Sequence, residues 1–280
     1  HFGICGGCHY QHLAYADQLE LKLQVLTDQL QRLGGISNPP LSGISPSRET
    51  WNYRNQVQFH LDAQGQPGYM DHTGKQVLPI SECFLPQLEL EALRLQLDLS
   101  PDAGLTRAAL RQDSLGEQFI LLDGVDELPP EMSLDLPASV CYRRPDGRVL
   151  TLAGHDQLVY EVLGKQLIIS PESFFQVNLA VAEQMLSHVL SLLPARDDLR
   201  VLELFSGAGF FSVFLAEKCR ELIAVESAPS ACYDFANNLD AYDHISLYEG
   251  AVEHVLPALA SELKGIDLVL LDPPRAGLLA

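Results

Sequence analysis

Three groups of residues in this 280-residue chain have the types and spacing to do chemistry. The first is Cys5-Gly6-Gly7-Cys8 with Cys83 far downstream. A Cys-x-x-Cys pair with a distant third sulfur suits a soft metal, and the residues alone leave zinc, an iron-sulfur group and a reduced thiol pair open. The second runs from Val201 to Ser212, an apolar strand carrying Glu203 and Phe205 that enters a Gly207-Ala208-Gly209 turn and then a helix. Such a turn lets a ligand approach backbone N–H groups at a helix start. Glu226, nineteen residues beyond Gly207, stands where an acid binds the two hydroxyls of a ribose. Ser212 occupies the place of a third glycine, which counts against a dinucleotide fingerprint, and the turn alone equally suits a structural role. Glu203 is a carboxylate inside a core strand, where it needs a partner. Either a ligand cation or the nearby Arg200 supplies one. The third group is Asp272-Pro273-Pro274-Arg275, which follows an apolar strand. The prolines stiffen the loop and hold Asp272 over the crevice at the strand ends. Ahead of these lies Phe174-Phe175-Gln176-Val177-Asn178, whose amides can read the edge of a base, although Asn178 equally suits a helix cap.

The elements that must position these groups follow from periodicity. Leu19, Leu23, Leu26, Leu30 and Leu33 recur at helical steps and predict an amphipathic helix ended by Gly34-Gly35, with the leucine stripe as core. Val57, Phe59 and Leu61 alternate with polar residues as a half-buried strand does. With further short strands at 118–122, 139–143, 149–153 and 165–169, they predict an α+β domain over residues 1–170 built on an antiparallel sheet. After Ser170-Pro171 a helix over 179–193 is followed by strands at 200–205, 221–226, 244–249 and 266–271 that alternate with helices. That alternation predicts an α/β domain over 171–280 with a parallel doubly wound sheet.

Composition narrows the function classes. No stretch approaches eighteen consecutive apolar residues, so no membrane partner is expected. The six cysteines are too sparse for a secreted disulfide framework, which points to the cytoplasm. A net charge of −19 argues against a generic nucleic-acid-binding surface, because neutralising phosphates takes clustered Lys and Arg. Only the run Arg143, Arg144, Arg148 offers local positive charge, unless it is simply a solvated loop. The sequence opens on His1 without Met or a signal peptide and ends eight residues past Asp272, and we read both ends as cut.

Taken together, Phe174 to Asn178, Leu204 to Ser212, Glu226 and Asp272 to Gly277 resemble, in order and interval, the RNA uracil-5-methyltransferase family. Cys5-Gly6-Gly7-Cys8 with Gln11-His12, Tyr53-Arg54-Asn55 and Ile80-Ser81-Glu82-Cys83 is similar to its iron-sulfur branch, which methylates 23S ribosomal RNA. The resemblance implies a Rossmann-like methyltransferase domain, its doubly wound sheet C-terminally truncated, preceded by an α+β central domain. It implies S-adenosyl-L-methionine as cofactor, held by Phe205, Gly207, Gly209 and Glu226, and Gln176 and Asp272 at the uracil and its donor. It also implies a 4Fe-4S cluster on Cys5, Cys8 and Cys83, with a fourth cysteine outside this sequence. The reaction so implied is covalent: a cysteine thiolate adds to uracil C6, the enolate attacks the methyl group, and a base removes the C5 proton. In the family's pattern both nucleophile and base lie past Ala280, so this chain is expected not to turn over. Expected partners are RNA and no second copy. A transfer-RNA substrate, an NAD-dependent oxidoreductase and a non-catalytic RNA-binding fragment are the alternatives. Ala251 departs from the family, which usually has Asp or Asn near the adenine.

Overall fold

Strands with one or both faces buried build two sheets and a separate hairpin, as the computed structural model shows for residues 2–133, 135–196, 198–274 and 277. The first half carries helix α1 (Tyr15–Arg32), strands β1 (Gln56–Leu61), β2 (Pro67–Met70) and β3 (Val77–Pro79), helix α2 (Leu88–Leu95), and strands β4 (Leu105–Gln112), β5 (Gln118–Gly124), β6 (Ala138–Arg143) and β7 (Val149–Ala153). These strands form one sheet in the order β3-β2-β1-β4-β5-β6-β7. Its core holds Val57, Phe59, Leu110, Ile120, Leu122 and Tyr142, with Leu90 and Leu93 of α2 packed against them. The sheet is mixed, not antiparallel as expected, because β5 and β6 pair in parallel. A parallel pair needs a crossover of a dozen or so residues, and the stretch 125–137 between them supplies it. β4 was not anticipated, since Thr106, Arg107 and Arg111 break its apolar pattern.

A second correction concerns α1. Its leucine stripe was expected to be core, yet the helix has no fully buried residue and Leu26 is 44% exposed. One side of it borders an open cleft instead of a sheet, since Leu19 and Lys22 line that cleft.

The second half carries β8 (Leu158–Val162), β9 (Lys165–Ile169), α3 (Leu179–Ser191), β10 (Leu199–Leu204), α4 (Ser212–Leu215), β11 (Cys219–Glu226), α5 (Pro229–Leu239), β12 (Ile245–Glu249), α6 (Val252–Ala258) and β13 (Leu268–Leu271). β10 is buried along almost its whole length, the pattern of a central strand covered on both faces. It lies between β11 and β13 in a fully parallel sheet of order β12-β11-β10-β13. The winding direction therefore reverses between β10 and β13, and such switch points open a crevice at the carboxyl ends of the strands.

The sequence changes texture at Ser170-Pro171, but the packing divides earlier. Leu158, Tyr160, Val162, Leu167 and Ile169 of the β8–β9 hairpin are buried with Val201, Leu222 and Phe235 of the second half. The Ser170-Pro171 junction is no loose linker. Buried Arg111 donates from Nη1 to the carbonyls of Ser170 (3.1 Å) and Pro171 (2.7 Å), and buried Asp234 accepts from Ser170 N at 3.0 Å.

Candidate functional site

At the carboxyl end of β10 the chain must turn sharply out of the sheet. Phe205 takes the left-handed conformation there at φ 60°, unusual for a residue with a Cβ and costing about 1–2 kcal/mol. Gly207 and Gly209 follow at φ 56° and 88°. Their surroundings differ. A Cβ on Gly207 would meet nothing within 4 Å, whereas one on Gly209 would lie 3.0 Å from Leu239 Cδ1 and 3.3 Å from Phe235 Cδ2. Gly207 thus faces open space, and Gly209 permits close packing against α5.

Glu226 ends β11 directly beside this turn. Its Oε2 accepts from Gly207 N at 2.8 Å, and its Oε1 accepts from Ser227 N (2.6 Å) and Ala228 N (2.8 Å). The acid therefore fixes the glycine turn to the next strand. Asn238 of α5 holds the turn from behind, donating from Nδ2 to the carbonyls of Ala208 (2.9 Å) and Ile168 (3.0 Å). Nothing in its sequence context marks that role.

Glu203 is 1% exposed. Arg200 is not its partner, because that guanidinium is committed to Glu221. Ser212 is, donating from Oγ to Glu203 Oε2 at 2.6 Å, so the residue in the third-glycine position satisfies half of a buried carboxylate. The other oxygen has no hydrogen bond among the described residues. Burial first, then the negative charge of Asp272, pushes the Glu203 carboxyl up to about 8. Asp272 follows β13 immediately, and its N–H donates to the Leu204 carbonyl at 3.4 Å, which places it on the same edge. Arg275 lies outside the described residues.

Phe205, Gly207, Glu226 and Asp272 are thus brought together on one edge, while Gln176 sits just before α3. The Gln176 carbonyl accepts from Asn55 Nδ2 at 3.1 Å, and its amide makes no hydrogen bond among the described residues. Asn178 caps α3, accepting from Val181 N at 3.1 Å, as the helix-cap reading has it. Ala251 is the residue at the N-terminal end of α6, and Glu253 beside it is exposed.

The sulfur residues gather at the far end of the first sheet. Cys5, Cys8 and Cys83 line one small cavity of ≈ 20 Å³ with Phe2, Tyr69, Ile80 and Phe84. Gly6 lies flat on the end of β2, where a Cβ would come within 2.8 Å of the Met70 and Asp71 carbonyls, and this explains the glycine after Cys5. The Cys83 loop is clamped by an ion pair on α2. Arg94 donates to the carbonyls of Ile80 (2.9 Å) and Ser81 (3.2 Å), and Glu91 Oε1 accepts from Cys83 N at 2.9 Å. Burial raises the Cys8 thiol, and the neighbouring Cys83 and Cys5 raise it further; burial also raises Cys83. Among the described residues no three His, Cys, Asp or Glu groups stand close enough together to hold a single metal ion. The donor chemistry fits a thiolate-bound metal group, with three sulfurs and an apolar wall, although the cavity as it stands has room for about one water. The run Arg143, Arg144, Arg148 supplies no free charge, since its members pair with Asp123, Glu127 and Asp146.

A parallel sheet with a glycine turn after its central strand, an acid ending the next strand and a second acid across the switch point defines the Rossmann-like nucleotide-binding class. The sequence pattern described as tRNA (Uracil-5-)-methyltransferase matches residues 155–280. An uncharacterized RNA methyltransferase of Aquifex aeolicus is 30% identical over 100% of this chain and 68% of its own length. The 23S rRNA (uracil(1939)-C(5))-methyltransferase of Edwardsiella ictaluri is 30% identical over 99% of this chain and 66% of its own. The crystal structure of Pyrococcus abyssi tRNA (uracil-54, C5)-methyltransferase in complex with S-adenosyl-L-homocysteine shares the fold, with a TM-score of 0.75 at 21% identity over 98% of this chain and 71% of that one. The chain belongs to the RNA methyltransferase family. It spans 63% of the length of a Streptomyces coelicolor relative to which it is 30% identical.

Proposed function

We propose that the crevice at the carboxyl edge of β10, β11 and β13 binds S-adenosyl-L-methionine, and that the chain serves an enzyme methylating C5 of a uridine in RNA. The observation that carries this reading is Glu203, buried in β10 beneath this edge with one oxygen lacking a hydrogen bond among the described residues, and Asp272 at the edge close enough to raise it. Two carboxyls sharing a site favour a ligand that brings positive charge, which the sulfonium and ammonium of that donor do and NAD does less well. Glu226 has three backbone N–H groups on its two oxygens, and the bond to Gly207, which faces open space, is the one a ribose hydroxyl would replace. Gly209 contributes by packing. Bound donor would supply the electrophilic methyl group; the residues here bind and orient it.

The substrate we favour is 23S rRNA, after the names of the relatives near 30% identity. Transfer RNA is the second reading, after the family's description and the Pyrococcus neighbour. Gln176 and Asp272 are the proposed uracil contacts, and a flipped or single-stranded base is required. We further propose that Cys5, Cys8 and Cys83 supply three ligands of a 4Fe-4S cluster, that the protein acts as a monomer in the cytoplasm, and that this chain binds donor without turnover. Of its six cysteines only buried Cys232 comes near the crevice, its Sγ donating from α5 to the Glu226 carbonyl at 3.5 Å; Cys219 starts β11 at the opposite edge, Cys141 is in β6, and three form the thiol pocket.

Thermal unfolding tests the core of this reading. S-adenosylhomocysteine should raise the midpoint and NAD should not, and Glu226→Ala should remove the response. Stabilisation by NAD instead would replace the methyltransferase reading with the oxidoreductase one. For the cluster, iron and acid-labile sulfide measured after anaerobic reconstitution should both fall when Cys83 is replaced by Ala.

A further inference from the structure

Between α1, the segment 44–54 and the start of α3 lies a cleft of ≈ 840 Å³, far larger than the thiol cavity next to it. Its walls are fixed. Tyr15 Oη accepts from Ser47 N at 2.7 Å, and Asn178 Nδ2 donates to Ser47 Oγ at 3.3 Å, so α1 and α3 both hold the segment between them. Three features of the lining point to one kind of occupant. Trp51 is 45% exposed on the rim, edge-on to the exposed ring of Phe84 at 5.9 Å, and Tyr53 lies two residues along. Arg54 has its backbone tied to Leu85 and Gln87 on both sides, yet its Nε is buried without a hydrogen bond among the described residues. Lys22 reaches the same space from α1.

In a chain of charge −19, where the Arg143 to Arg148 run is neutralised by its own neighbours, this lining carries Lys22 and Arg54 against the single acid Glu49. The exposed Trp51 ring beside cations that have no ion pair among the described residues suits an unstacked base and its neighbouring phosphates. The far wall of the cleft, Asn178, is two residues from Gln176. A strand lying here would therefore lead towards the proposed uracil contacts.

We propose that this cleft binds the single-stranded RNA flanking the target uridine, with a base stacked on Trp51 and backbone phosphates at Arg54 and Lys22. The assignment rests on the proposed RNA substrate and deepens it. It also gives the first turns of α1, with Leu19 and Lys22, the place of a wall instead of a core.

Trp51 is the chain's one tryptophan, so its fluorescence reports on the cleft alone. Titrating the chain with a short uridine-containing single-stranded oligoribonucleotide should quench that fluorescence to saturation, and raising the salt should weaken the binding. Trp51→Leu should lower affinity about ten-fold by filter binding, and Lys22→Gln with Arg54→Gln by a similar factor with a shallower salt dependence. Stabilisation by S-adenosylhomocysteine should be unchanged in all of these variants, which separates this proposal from the donor reading and shows that the variants are folded. Oligonucleotide bound with neither quenching nor loss in the variants would overturn the cleft while leaving the donor site standing. So would the absence of binding, or equal quenching by a fully paired duplex whose bases are not exposed.

Discussion

The crevice and the thiol pocket each gather reactive groups, but by different means. At the crevice the backbone does the gathering: parallel strands end in register, so Glu226 and Asp272 arrive on one edge with the glycine turn between them. At the thiol pocket Cys5, Cys8 and Cys83 come from a loop and from a segment beyond two hairpins, held by a side-chain clamp from α2. A site set by strand ends tolerates substitution around it, whereas a site set by a buried ion pair depends on that pair. Beneath the crevice one oxygen of Glu203 has no hydrogen bond among the described residues, whereas the clamp at the pocket is hydrogen-bonded throughout.

The largest expected effect tests that last contrast. Glu203 has its carboxyl raised from 4.5 to about 8 in the folded chain, so the folded state binds more protons than the unfolded state between those values. Its contribution is full below pH 4.5 and is lost as pH rises through about 8. At ~1.4 kcal/mol per pKa unit this amounts to about 5 kcal/mol, and Glu203→Gln should flatten the fall in stability over that window, as read by urea unfolding at several pH values. Unchanged pH dependence in the variant would show that Glu203 has a partner in solution. Next, Arg94→Met should cost about 3 kcal/mol, because it leaves Glu91 without its cation beside the Cys83 loop, and Cys83 should become easier to alkylate. If stability falls and Cys83 reactivity does not, the clamp supports the sheet and not the pocket.

Two glycine substitutions sharpen the comparison within the crevice itself. Gly209→Ala should cost about 2 kcal/mol, since its Cβ adds a clash with Leu239 and Phe235 to an unfavourable φ. Gly207→Ala should cost only about 1 kcal/mol in stability, yet it should weaken S-adenosylhomocysteine binding more than Gly209→Ala does, because its Cβ points into open space. The reverse order in binding would move the ligand to the other side of the turn.

Sequence periodicity was enough for the parallel sheet, because β10, β11 and β12 are each followed by a helix and β13 is an apolar run. The glycine turn, Glu226 and Asp272 were legible for the same reason, since strand ends fix them. Ser212 was read as a missing glycine, and its value as a donor appears only once Glu203 is seen buried beneath it. The Arg94 clamp and Asn238 depend on contacts across 13 and 70 positions, respectively, with no local signal. The leucine spacing of α1 was read as helix correctly, but spacing alone does not distinguish a sheet from an open cleft on its apolar side.

The β8–β9 hairpin has a consequence for how the molecule comes apart. Its five core side chains fill the second half, and Phe119 of β5 joins them from the first sheet. The residues that separate the two halves in sequence are thus the ones that weld them in space. A fragment beginning at Glu172 would leave Val201, Leu186 and Phe175 facing water, whereas one beginning before Leu158 keeps the hairpin as its lid. Melting should accordingly pass from one half to the other without a pause between them.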